Sequence, residues 1–192
     1  MRDKSHQGSS PQHRNEFDDS NGEENWWSFR FSGSVPDRRA YHTSFTWKGK
    51  LYIFGGKDIS VGHLNSLWSI NLDEIGRLEV GKSEHIPNPQ WNHHQRDGNK
   101  YYNTNNWPHP VANHTSVVYK DKMYLFGGSS GMCENQDFWS FDLHSNVWTQ
   151  LKPKAKNSDP NNNPQTRDEH SAVVYRDSMV VFGGFNFGTR TN

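Results

Sequence analysis

The sequence predicts an all-β chain of repeated four-stranded antiparallel sheets, and three observations predict it. A cassette of fixed length occurs three times, running from His42 to Gly55-Gly56, from His114 to Gly127-Gly128, and from His170 to Gly183-Gly184. Inside each copy, alternating apolar residues lead to a polar turn (Lys48-Gly49, Lys120-Asp121, Arg176-Asp177), then to a second apolar run stopped by the glycine pair. A later segment repeats as well, Leu67-Trp68-Ser69-Ile70-Asn71-Leu72 against Phe138-Trp139-Ser140-Phe141-Asp142-Leu143. Alternation about a tight turn is the pattern of a β-hairpin with one face buried. Hairpins recurring at a period near 50 residues read as blades of a propeller.

Taken in order, residues 1–24 are polar, charged and rich in Gly, Ser and Asn, and read as a disordered tail. Residues 25–36 contain Trp27-Ser28-Phe29-Arg30-Phe31, which reads as an isolated strand d that is a candidate for closing a ring. Residues 37–80 form the first blade, with strand a near Tyr41–Trp47 and strand b over Lys50–Phe54. Its strand c is Leu67–Leu72, and its strand d is placed by spacing at Leu78-Glu79-Val80, with a segment around Trp91 as the alternative. Residues 81–110 read as a long d–a insertion, and residues 111–152 as a second blade with Val147–Leu151 as strand d. A Pro/Asn-rich loop follows over 153–165, and 166–192 hold the first half of a third blade. No strong helix is visible.

These residues resemble the kelch repeat. The family pattern is Arg then His opening strand a, a Gly doublet closing strand b, an Asn/Asp-rich approach to an aromatic in strand c, and a Trp in strand d. Arg39, His42, Gly55, Gly56, Asn65 and Trp68 match it in the first copy. His114, Gly127, Gly128, Asp137, Trp139 and Trp148 match in the second, and Arg167, His170, Gly183 and Gly184 in the third. Val111 stands where the second copy would have Arg, and Arg77 or Leu78 replaces the first strand-d Trp. The resemblance covers about 37–192 and implies kelch-type propeller blades in an incomplete ring. Propellers use roughly 4–8 blades. The chain is therefore expected to be part of a longer propeller, with assembly of several chains into one ring as the alternative.

Charge narrows the function. Lys+Arg and Asp+Glu are both 21, so no basic field exists to hold nucleic acid or an anionic membrane surface. No apolar run is long enough to span a bilayer. With one cysteine, Cys133, no intrachain disulfide can form. That, and the absence of an apolar signal region, make an intracellular compartment the expectation.

His42, His114 and His170 occupy equivalent repeat positions, which reads as a structural role between neighbouring blades rather than a zinc site. No metal and no cofactor are expected. In an a–b–c–d meander the b–c and d–a loops share one face, and loops on a rigid scaffold carry binding. Arg39, Trp91, His93, His94, Tyr101, Tyr102, Trp107 and Arg167 are the candidate contact residues there, of types that dominate protein interfaces. The resemblance implies a protein-interaction scaffold, not an enzyme, with an unidentified protein partner and self-association or further blades to close the ring. The alternatives are a propeller-fold enzyme, either a metal-dependent oxidase or a type that rearranges or hydrolyses small molecules, and a truncated copy without independent function.

Overall fold

The computed structural model describes residues 30–79, 88–94, 106–131, 133–152 and 164–191. The fold is all-β. The first blade is a meander of β1 (Thr43–Trp47), β2 (Lys50–Phe54), β5 (Leu67–Asn71) and β6 (Asn92–His94), each antiparallel to the next. A small hairpin of β3 (Lys57–Asp58) and β4 (Gly62–His63) projects between β2 and β5, and a helix α1 (Leu72–Glu79) follows β5. The second blade repeats the order with β7 (Thr115–Tyr119), β8 (Lys122–Phe126), β11 (Phe138–Asp142) and β12 (Val147–Gln150). Its b–c hairpin is β9 (Ser129–Ser130) with β10 (Cys133–Glu134). A third sheet holds β13 (Ser171–Tyr175) and β14 (Ser178–Phe182), with the hairpin β15 (Phe185–Asn186) and β16 (Thr189–Arg190) beyond it. Strand β1 lies beside β7, and β7 beside β13, so the first strands of all three sheets stand side by side. No closed ring is present among the described residues.

Three expectations need correction. A helix, α1, is present although none was expected; Leu78 lies in it and not in a strand; and the fourth strand of the first blade is β6, beside the alternative placement around Trp91 and within the stretch read as one 81–110 loop. The helix forms because Asn71 caps it: its Oδ1 accepts the Asp73 amide at 3.0 Å, satisfying an orphan donor. Asp73 and Glu74 in the first turn then face the positive end of the helix dipole. Strand β6 is held by its partners rather than by propensity, with His93 stacked parallel on Trp68 at 4.0 Å and His94 Nε2 2.8 Å from Ser69 Oγ. Most of the 25–36 segment's expected strand (27–29) lies outside the described residues. Its described end makes one parallel bridge, Ser32 with Gln90.

The core lies between the first two sheets. Tyr52, Phe54 and Leu67 from one meet Met123, Leu125, Trp139, Phe141 and Trp148 from the other. Trp148 is 2% exposed and packs 4.9 Å from Phe54 and 5.0 Å from Phe141. Between the second and third sheets, by contrast, runs an open groove of about 430 Å³ lined by Val117, Tyr119, Tyr124, Phe138, Val174 and Met179.

The seams between sheets are made of backbone and repeat bond for bond. The Gly56 amide donates to the Val111 carbonyl, and the Gly128 amide to the Arg167 carbonyl, both at 2.8 Å. In return, Val111 N–H reaches the Leu64 carbonyl at 3.0 Å and Arg167 N–H the Asn135 carbonyl at 3.2 Å. The approach leaves no room for a side chain: a Cβ on Gly127 would meet the Arg167 carbonyl oxygen at 2.5 Å. Gly183, at the same position of the third sheet, has only the Thr191 carbonyl at 3.9 Å.

This pair yields a controlled prediction. Both glycines have positive φ, +64° and +72°, so alanine at either carries the left-handed penalty of roughly 1–2 kcal/mol. Gly127→Ala must also force the seam apart, and chemical denaturation should show it about 1–3 kcal/mol less stable than Gly183→Ala.

Candidate interaction face

Each b–c hairpin is bound to the residues that lead into strand a of its own sheet. Ala40 and Lys57 exchange backbone bonds at 3.0 and 2.8 Å, Ala112 and Ser129 at 3.0 and 2.8 Å, and Asp168 and Phe185 at 3.1 and 2.9 Å. The b–c hairpins and the strand-a approaches therefore occupy one end of all three sheets. The first hairpin is shaped by Asp58, whose Oδ1 accepts the Ser60 and Val61 amides at 2.7 and 3.0 Å. That turn presents Ile59 (102% exposed) and Val61 (67%) at its tip, and the third hairpin presents Phe187 (73%). His63 Nδ1 accepts the Gly131 amide at 3.4 Å and ties the first hairpin to the second.

The arginines ahead of strand a brace this end. Arg39 donates to the Gly55 carbonyl at 3.1 Å, to Ser66 Oγ at 3.1 Å and to the Asp37 carbonyl at 3.0 Å. Arg167 donates to the Gly183 carbonyl at 3.1 Å. Burial lowers the pKa of the Arg39 guanidinium, and Arg39 in turn helps burial depress His42. Burial pushes the Asp168 carboxyl up, against a pull downward from Ser129.

Of the other candidate contact residues, Trp91 packs edge-on to Phe31 at 5.9 Å. His93 and His94 belong to β6, the outer strand of the first sheet, so they sit at the rim. Trp107 is a wedge between blades: its Nε1 donates to the Asn65 carbonyl at 2.9 Å, and its ring meets Trp148 edge-on at 5.7 Å. Tyr101 and Tyr102 lie outside the described residues. Ile59, Val61 and Phe187 were not singled out by sequence, although apolar residues in b–c connections of two to three turn residues were there to be read.

The repeat histidines sit on the seams. His114 Nε2 lies 2.9 Å from Thr43 Oγ1, and His170 Nε2 lies 2.7 Å from Thr115 Oγ1. Both rings are buried (5% and 7% exposed), whereas His42 is exposed. Among the described residues no three His, Cys, Asp or Glu side chains converge as metal ligands. No helix among them is long and apolar enough to cross a membrane.

The sequence matches the family described as the KLHDC2/KLHL20/DRC7 Kelch-repeats domain, over residues 7–163 and 101–192. The chain belongs to the kelch-repeat family. Similar proteins include human Leucine-zipper-like transcriptional regulator 1, at 28% identity over 172 residues, covering 87% of this chain and 18% of that protein. Human Host cell factor 2 is 30% identical over 160 residues (80% of this chain, 18% of that protein). Human Kelch domain-containing protein 3 is 23% identical over 161 residues (83% and 37%). This kelch chain thus spans a fifth or less of the first two relatives and over a third of the last.

The seam histidines set a pH dependence. Burial lowers His114 to about 3, with His170 adding to it, and burial with the Arg167 cation lowers His170 to about 4. Unfolded histidine titrates near 6.5, so the unfolded chain takes up protons first as the pH falls. Stability is fully present above about pH 6.5 and declines below it, by up to about 2 kcal/mol for each ring at pH 5. Denaturation midpoints measured from pH 7.5 to 4.5 should fall along this course, and His170→Gln should flatten it.

Proposed function

We propose that this chain is a protein-interaction scaffold that holds a protein partner on the end formed by its b–c hairpins and strand-a approaches. The observation that carries the reading is the set of Ile59, Val61 and Phe187, large apolar side chains displayed on hairpins whose bases are pinned by paired backbone bonds. Exposed apolar groups on a rigid frame bind with little ordering cost, because the frame is already fixed before the partner arrives. The opposite end offers a different surface: there Trp47, Lys48, Asp121 and His144 satisfy one another through contacts of 3.2–3.9 Å. Membership in a repeat family of interaction scaffolds supports the same reading, and the function is non-enzymatic.

A photo-crosslinking residue placed at Ile59 should capture a defined partner in cells, while one placed at His144 should not. Ile59→Asp with Phe187→Asp should abolish that capture and leave the unfolding free energy within the spread of a surface change, about ±0.5 kcal/mol. Equal capture from both ends would overturn the assignment of the face.

A further inference from the structure

Each b–c hairpin is fixed at its base, and one further bond joins two of them near their tips. The Gly131 amide of the second hairpin donates to Nδ1 of His63 in the first, at 3.4 Å. His63 closes β4, just past the exposed Ile59 and Val61. Gly62 and Gly131 have open space where a Cβ would stand, so packing at those two positions adds nothing to the bond. The matching residues of the other two hairpins are Glu134 and Arg190, and an imidazole at this place is particular to the first.

The bond dictates the state of the ring. A backbone amide can only donate, so Nδ1 presents its lone pair and neutral His63 carries its proton on Nε2. A second proton would go on Nδ1 and set two donors against each other. The bond is then lost, not merely weakened. The seam histidines differ, because His114 and His170 face the hydroxyls of Thr43 and Thr115, which can donate or accept. The surroundings of His63 favour the neutral ring. Lys57 stands directly opposite in the β3–β4 pair, and burial, with the Lys57 cation adding to it, lowers the His63 pKa. Asp58, on the same hairpin, is engaged by its own turn amides. The second hairpin brings Cys133 and Glu134, and Glu134 acts on Asp168.

We infer that His63 is a proton-sensitive latch on the interaction end. Neutral, it ties the hairpin that carries Ile59 and Val61 to the second hairpin; protonated, it lets that hairpin go. The inference rests on the interaction end proposed above. With the latch closed, the apolar tip meets a partner already positioned. With it open, the ordering of the tip opposes binding, and the partner is held less tightly. The open hairpin takes up a proton at about pH 6.5, as ordinary histidine does, while the closed one resists it. The tie is therefore at full strength above about pH 6.5 and is lost as the pH falls through the lowered value.

Nuclear magnetic resonance of the 192-residue chain, from about pH 7.5 to about 5.5, tests this. The Gly131 amide proton should shift along the titration curve of the His63 ring, and its protection against exchange should fall about three- to ten-fold. His63→Asn sets an amide oxygen where Nδ1 stood and cannot titrate, so Gly131 should keep its protection throughout. His63→Leu has no acceptor and should show low protection at both ends of the range. Capture by a photo-crosslinking residue at Ile59, in buffered cell extract, should drop about three- to ten-fold between the same pH values and hold in His63→Asn. A Gly131 amide that ignores the His63 titration overturns the inference and leaves the interaction face standing. Capture that falls equally in the wild type and in His63→Asn also overturns it. Absence of capture at every pH, with Gly131 still following His63, overturns the face itself and with it the role of the latch in binding.

Discussion

The bond from the second glycine of the first two doublets to the carbonyl ahead of the next strand a fixes how far apart the sheets stand. At 2.8 Å between Gly56 N and Val111 O, two backbones touch with no side chain between them. Everything else at the seam is adjusted to that spacing. The histidine three residues past the carbonyl reaches the preceding sheet's hydroxyl, and the residue before it takes a left-handed conformation to make the turn. Tyr41, Asn113 and Glu169 have φ of +59°, +56° and +52°, and their backbones form a relay, Asn113 N–H to Tyr41 O and Glu169 N–H to Asn113 O. Only Asn suits that conformation well. The strain at Tyr41 and Glu169 is the cost of keeping the relay in register.

A seam of backbone bonds is directional. Each sheet offers a glycine amide and a hydroxyl on one side, and a carbonyl and an imidazole on the other, so sheets add in one order only. The side chains then decide how well each junction fills. Between the first two sheets, Trp107, Trp148 and Phe141 occupy the space outside the seam, and the core is closed. Between the second and third, the same backbone bonds hold but no outer strands follow β14 among the described residues, and a groove remains. The backbone therefore sets the geometry, and the outer aromatics supply most of the buried area.

What the sequence made legible follows from that division. The hairpins announce themselves because one face of each is buried: Thr43–Trp47 alternates half-buried and exposed residues along its length. The glycine pairs announce themselves because only glycine permits the approach. Strand β6 was legible only as the alternative around Trp91, since Asn92-His93-His94 is poor in β-forming residues and is fixed by Trp68 and Ser69, more than twenty residues earlier. Helix α1 was legible in principle, through Asn71 followed by Asp73 and Glu74, but the strand-d spacing of the other copy pointed to Leu78 instead. Trp107 looked like a loop aromatic poised for a partner, and only its place against Trp148 shows it to be a wedge.

The end that carries the b–c hairpins follows a different rule from the seam. Its hairpins are anchored at their bases by the strand-a approaches, which also carry the seam carbonyls and the arginine braces. Their tips touch little: Ile59 and Phe187 stand in solvent, and Gly62, Gly131 and Gly188 have nothing within 4 Å of where a Cβ would be. Tip residues can therefore change without disturbing the stacking of the sheets, while a change at the base is felt in the seam. Ala112 and Asp168, which pin the second and third hairpins, directly follow the seam carbonyls of Val111 and Arg167, so hairpin base and seam share one short stretch of backbone.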